Sequence, residues 1–311
     1  MNEDAEYIAI LCGEFGDGYQ PITRAMFWKI YHENNDSMEG VIASGRQDVA
    51  ELLKRSGSVA LSISKMEGMG IKATTALDDD FPQNLRKKLG DKCPPMLYRA
   101  GDSAINRRRH VGYVGSRNVD DADRAWTEKM VAKSLKNRYG VVSGGARGVD
   151  AIAAGYALAV GSHAIEFLAD GLAKRIKDPT TLNYILNGKL LLYSASSPFS
   201  QGNRRSFVAS AMERNKFIYA QSAGTVVVKS GLEEGGTWAG AREALKNNWC
   251  KVYVWDKGNY PGNQALIKMG GIGLDDNGDI SVDNSALMAK GSDDTKESLK
   301  YEQTTLFGAQ Q

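Results

Sequence analysis

Six short apolar stretches, most of them separated by segments of helical period, predict an α/β protein. Its core would be a doubly wound, mostly parallel, Rossmann-like sheet. Helix-period patterning before residue 75 predicts a small N-terminal helical domain in front of it. A glycine-rich turn between an apolar strand and a helix, Ser143-Gly144-Gly145-Ala146-Arg147-Gly148, marks where such a sheet would hold a ligand.

In chain order, residues 1–75 carry apolar positions at helical spacing. Met26, Phe27, Ile30 and Tyr31 come first, then Val49, Leu52 and Leu53, then Val59, Leu61 and Ile63, with glycine and Asn-Asn-Asp-Ser breaks between. A linker-like stretch follows. Pro94 and Pro95 forbid a helix there, and Met96 to Arg99 reads as an edge strand. Strands are expected at 111–114, 140–143, 163–168, 189–194, 225–229 and 251–255. The helix at 122–137 places Trp126, Met130, Val131 and Leu135 on one side, and another opens near Gly148. Residues 76–272 form the sheet domain in this reading, and 273–311 an acidic, mobile tail. The alternation of Ile280 and Val282 reads as one further edge strand within that tail.

The chain has 311 residues, 42% hydrophobic and 24% charged, with a formal net charge of +2. After residue 272 eight acids face three lysines, giving −5, so residues 1–272 carry +7, an excess suited to an anionic partner. No apolar run reaches the roughly 20 residues of a membrane helix. The N-terminus is acidic and has no signal-peptide pattern, so the expected location is the cytoplasm and no membrane association is expected. Cys12, Cys93 and Cys250 are scattered, as are His32, His110 and His163. Neither a disulfide framework, a zinc site nor a nucleophile–histidine pair is supported, and no cofactor or metal is expected.

Four segments carry the candidate chemistry. Gly115, Ser116 and Arg117 follow a buried strand; the glycine allows close approach, the serine donates, and the arginine offers a two-pronged donor to phosphate. Ser143, Gly144, Gly145, Arg147 and Gly148 form a turn that permits a nest of backbone N–H groups. Asp150 stands in support, either stabilising the helix start or orienting Arg147 through an ion pair. The turn is neither a Walker loop nor a dinucleotide fingerprint. Arg214, Asn215 and Lys216, with Arg204 and Arg205 upstream and Phe217 and Tyr219 among them, combine cations with aromatics as single-strand binders do. A solvated helix face with core aromatics is the plainer reading of that segment. Gly236 and Thr237 belong to a fourth loop, with Thr237 as the expected N-cap. Lys174, Arg175 and Lys177 read as a solvated charge run.

In this order the motifs resemble those of the DNA-processing protein A (DprA/Smf) family. The resemblance runs from Gly68-Met69-Gly70-Ile71 and Asp80-Phe81-Pro82 through Pro94-Pro95-Met96-Leu97-Tyr98-Arg99-Ala100-Gly101 and the two glycine loops. It continues to Arg214-Asn215-Lys216, Gly236-Thr237-Trp238-Ala239-Gly240 and Gly262-Asn263-Gln264. It implies a Rossmann-like fold, a cationic pocket for single-stranded DNA, a homodimer, and loading of a RecA-type recombinase as in natural transformation, without enzymatic activity. By position it assigns Gly115, Ser116, Arg117, Ser143, Gly144, Arg147, Arg214 and Lys216 to that pocket. Lys216 stands where the family usually has a second arginine, which keeps charge but loses the planar fork. Ala153-Ala154 replaces the usual Ala-His, and no winged-helix domain follows. The alternatives are a hydrolase resembling the LOG phosphoribohydrolases, with Glu233 or Glu234 acting, a nucleotide sensor, and a diverged paralogue in phage defence.

Overall fold

The computed structural model describes residues 2–199, 204–257 and 259–280; within 204–206 it describes the backbone alone. Met1–Ile280 form one compact unit. Five helices come first, α1 (Glu3–Cys12), α2 (Arg24–Glu33), α3 (Met38–Ala43), α4 (Gln47–Leu53) and α5 (Ser56–Glu67). Then follow β1 (Lys72–Thr75), α6 (Gln83–Leu89), β2 (Met96–Ala100), β3 (His110–Val114), α7 (Asp121–Lys136), β4 (Gly140–Ser143), α8 (Val149–Ala159) and β5 (Ala164–Leu168). The chain continues through α9 (Leu172–Arg175), α10 (Pro179–Leu186), β6 (Leu190–Ser194), α11 (Arg204–Gln221) and β7 (Gly224–Val227). The last elements are α12 (Gly235–Asn247), β8 (Lys251–Trp255), α13 (Pro261–Lys268) and β9 (Ile272–Leu274).

The nine strands of the described residues lie in one sheet, ordered β1-β2-β6-β5-β4-β3-β7-β8-β9. From β6 to β9 every pairing is parallel, and β1 and β2 pair antiparallel at one end. The run β3, β4, β5, β6 moves one way from β3, and β7, β8, β9 move the other way. Right-handed crossovers therefore put the two sets of helices on opposite faces, and the order reverses between β3 and β7. The central strands are buried along their whole length, which is why they read as unbroken apolar runs.

The six expected parallel strands are present within a residue or two. Met96–Ala100 is not an edge strand: β1 pairs outside it, Lys72 against Arg99 and Thr75 against Met96. The last strand among the described residues is Ile272–Leu274; Ile280 is buried outside any strand, and Val282 lies outside the described residues. As far as Ile280 the chain packs on the sheet unit. Trp255 Nε1 donates to Asp276 at 3.1 Å, and Lys133 Nζ donates to the carbonyls of Asn277 and Gly278.

The five leading helices are short, and buried polar contacts tie them together. Arg55 is fully buried; its guanidinium donates to the carbonyls of Ile10 and Gly13 and pairs with Asp17 at 3.3 Å. Trp28 Nε1 donates to the Cys93 carbonyl at 2.7 Å, and Arg24 pairs with Glu213 on α11. These contacts fix the helices against the β1–β2 side and the middle of α11.

Candidate nucleic-acid interface

A cleft of about 470 Å³ opens at the carboxyl ends of β3 and β7, where the strand order reverses. Its walls come from the β3–α7 loop, the start of α8, one side of α11, and the β7–α12 loop. Backbone hydrogen bonds lace these loops together: Ser116 N donates to the Lys229 carbonyl at 2.9 Å, and Val149 N to the Ser116 carbonyl at 3.3 Å.

Gly148 explains how the two arginine loops come so close. It holds a left-handed φ of +85°, and a Cβ there would sit 2.3 Å from the Ser116 carbonyl oxygen and 2.7 Å from Arg117 Cα. The backbone beside Arg147 thus touches the backbone of Arg117. Both arginines are exposed at this end of the sheet, and the Arg117 guanidinium lies 5.9 Å from the Phe207 ring centroid on α11.

Arg214 behaves differently. It points inward from α11 and is 5% exposed, with Nη1 at 3.1 Å from Asp150 Oδ2. Gly144 leaves the room for this: a Cβ on it would fall 0.8 Å from Arg214 Nη1. Asp150 therefore pairs with Arg214 and not with Arg147. Burial raises the Asp150 carboxyl's pKa, while the Arg214 guanidinium and the Gly144 and Ala146 amides oppose that rise. Part of the N–H nest of the 143–148 turn thus faces the protein's own carboxylate. The Glu166 carboxyl is also raised, first by burial and in smaller part by the charge of Asp150, while Arg175, paired with it at 3.2 Å, opposes that rise. Arg175 is exposed, as the solvated run implied, and is also the partner of that carboxylate. Arg214 Nε has no hydrogen-bond acceptor among the described residues, and neither has the Tyr219 hydroxyl that also lines the cleft.

Of the residues singled out from sequence, Gly115, Ser116, Arg117, Arg214, Asn215, Gly236 and Thr237 line the cleft, with Asp150. Gly145, Arg147 and Gly148 belong to the loop beside it without lining it. Ser143 is fully buried, its hydroxyl 3.4 Å from the Tyr113 carbonyl. Lys216 faces away and pairs with Glu243 at 3.4 Å. Phe217 and Tyr219 are core residues, buried to 2% and 0% exposure, so they are not free stacking platforms. The side chains of Arg204 and Arg205 lie outside the described residues. Thr237 is not the N-cap of α12; the helix starts two residues earlier, with Glu234 at the cap position. Neither α8 nor α12 has a side-chain cap hydrogen bond, so both present N-terminal amides toward this end of the sheet.

Lys229 is the residue the sequence reading passed over. It lines the cleft and pairs with Asp123 at 2.9 Å. Tyr260 also donates to Asp123. Burial alone would raise the Asp123 carboxyl, but hydrogen bonds from Lys229 and Tyr260 hold it below the usual range. Lys229 follows an apolar strand as Arg117 does, so the rule that singled out Arg117 applied to it equally. Val208 and Met212 on α11 add an apolar wall, both about half exposed, that no motif announced.

Residues 72–282 match the family described as DNA recombination-mediator protein A. The chain belongs to that family. The DNA processing protein DprA of Streptococcus pneumoniae is 29% identical over 216 residues, covering 66% of this chain and 72% of that protein. The fold is similar to the X-ray structure of DprA from S. pneumoniae, with a TM-score of 0.63 and 20% identity over 87% of this chain and 99% of that one. It is also similar to DNA processing protein A from Helicobacter pylori, a structure described for its single-stranded DNA binding mode. There the TM-score is 0.51, with 23% identity over 65% of this chain and 90% of that one. Membership places the chain among proteins of DNA recombination. The mixed α/β fold expected from sequence is the family's fold. Among the described residues no helix is long and apolar enough to cross a membrane.

Proposed function

We propose that this protein binds single-stranded DNA in the cleft at the β3–β7 switch point and acts, without chemistry of its own, as a recombination mediator. The observation that carries the reading is the convergence of Arg117, the Arg147 loop and two uncapped helix starts at one end of the sheet. Phosphates would meet Arg117, Arg147 and the amides, and the buried Arg214–Asp150 pair would set the floor. The apolar face of Val208 and Met212 suits bases better than phosphates. The H. pylori relative's single-strand binding supports the same ligand class. Loading of a RecA-type recombinase, a homodimeric state and a cytoplasmic setting complete the reading, as its family membership suggests.

The test is a fluorescence-anisotropy titration with single strands, duplex and mononucleotides across a salt series. Single strands should bind most tightly, with affinity falling steeply as salt rises. A flat salt dependence, or preference for mononucleotides, would overturn the proposal. Glu234 lines the cleft, which gives the hydrolytic alternative one observation in its favour. Release of free base from nucleoside monophosphates would select that alternative.

A further inference from the structure

The cations of the cleft are largely neutralised by the protein itself: Arg214 by Asp150, Lys229 by Asp123, and Lys216 nearby by Glu243. Arg117 and Arg147 keep their charge beside the cleft, and further cations lie at the other end of the sheet. A second concavity, of about 480 Å³, opens at the amino ends of β3, β4 and β5, the opposite end of the sheet from the cleft. Arg108 and Arg109 line it from the start of β3, Arg138 from the turn after α7, and His163 from the start of β5. Among the described residues, Arg107, Arg108 and Arg138 have no carboxylate within salt-bridge distance.

The arginines here are held in place rather than loose. Arg108 Nη1 lies 3.3 Å from His163 Nδ1. A guanidinium can only donate, so Nδ1 accepts and the imidazole is neutral. Burial first, then the charges of Arg108 and Lys189, hold His163 down to about 4, so it stays neutral at working pH. Arg109 stacks its guanidinium 4.9 Å from the Tyr139 ring centroid. Arg138 sits at a left-handed φ of 62°, fixed by its N–H bond to the Leu135 carbonyl.

We infer that this basic concavity is a second nucleic-acid contact, which grips the phosphate backbone of a single strand long enough to reach beyond the cleft. The cations come from two separate chain segments, before β3 and after α7, and those without carboxylate partners among the described residues, Arg108 and Arg138, suit a polyanionic backbone. Its apolar lining, Leu135 and Tyr139, is half-buried and buried, unlike the exposed wall of Val208 and Met212. Contacts of this type hold and orient a strand without reading its sequence. The two sites stand at opposite ends of a five-residue strand, roughly 17 Å of sheet apart. The choice of ligand rests on the single-strand reading of the cleft.

The test uses the full chain and the double variant Arg108→Gln/Arg138→Gly, glycine being free to hold the left-handed turn. A probe of about 8 nucleotides, enough for one cleft, is compared with one of about 40. The expected result is unchanged binding of the short probe and about tenfold weaker binding of the long one. The slope of log K against log salt for the long probe should also become shallower by about 1.4, two phosphate contacts at about 0.7 each. Unchanged affinity and slope with the long probe would overturn the proposal, as would an equal loss with both probes. Failure of the wild-type protein to bind the short probe would instead strike the cleft reading. In that case the long-probe comparison still decides this one.

Discussion

Gly144→Ala is the smallest change that tests the floor of the cleft. Gly144 does not need a left-handed backbone, so alanine meets no conformational obstacle there; the obstacle is Arg214. The new methyl carbon would fall 0.8 Å from Nη1 and 2.7 Å from Asp150 Oδ2. Ordinary contact requires the guanidinium to retreat by about 2–3 Å. That breaks the 3.1 Å pair and leaves a buried carboxylate without its cation. Separating such a pair costs about 3–5 kcal/mol, less whatever Asp150 recovers by taking up a proton, which its raised pKa favours. The expected loss of stability is therefore about 2–4 kcal/mol, read by urea unfolding at neutral pH. In an Asp150→Asn background the pair is already gone, and the same alanine should cost less than half as much. A loss below about 0.5 kcal/mol in the wild-type background would show that Gly144 is not what admits Arg214.

Three further outcomes are expected. Arg117→Ala and Arg147→Ala should each weaken single-strand binding by about 1–3 kcal/mol with the unfolding midpoint unchanged; wild-type affinity in anisotropy titrations would remove these residues from the site. Gly148→Ala should destabilise by about 2 kcal/mol or more, because it combines a left-handed φ of +85° with a clash against the Ser116 carbonyl. A thermal midpoint shifted by less than a degree would contradict that packing. His110 and His163 are held down to about 3 and about 4, first by burial, so the unfolded chain binds more protons below about pH 6.5. Stability should accordingly be full above that pH and fall by at least about 2 kcal/mol by pH 4. A flat profile in denaturant titrations between pH 7 and pH 4 would show that these imidazoles are not buried as described.

The parallel core was legible because its strands are buried on both faces and so appear as bare apolar runs of four or five residues. β1 was not, since Lys-Ala-Thr-Thr carries no apolar signal and gains its place only by pairing with β2. β9 is three residues long and contains a glycine, too short for any pattern. In the cleft, glycine loops at strand ends announced the position of the site. The state of its charges stayed hidden, because an ion pair between Asp150 and Arg214 spans 64 residues of sequence. Nothing local distinguishes a paired arginine from a free one. Arg117 and Arg214 look equivalent in sequence, yet one is exposed and the other forms the floor.

That difference separates two tasks which a count of positive residues would merge. A buried arginine held by a buried carboxylate adds little net charge at the surface, but it fixes the shape of the floor and the spacing of the loops above it. The attraction that draws a polyanion in must then come from cations without carboxylate partners among the described residues, here Arg117 and Arg147 beside the cleft and Arg108 and Arg138 at the far end of β3. Neutralising Asp150 should disturb the site through its shape and stability, whereas removing an exposed arginine should change the salt dependence and leave the fold intact. Comparing the salt slope of Asp150→Asn with that of Arg117→Ala tells the two roles apart. Arg117→Ala should lower the slope by about 0.7, whereas Asp150→Asn, which leaves the Arg214 charge uncompensated, should not lower it.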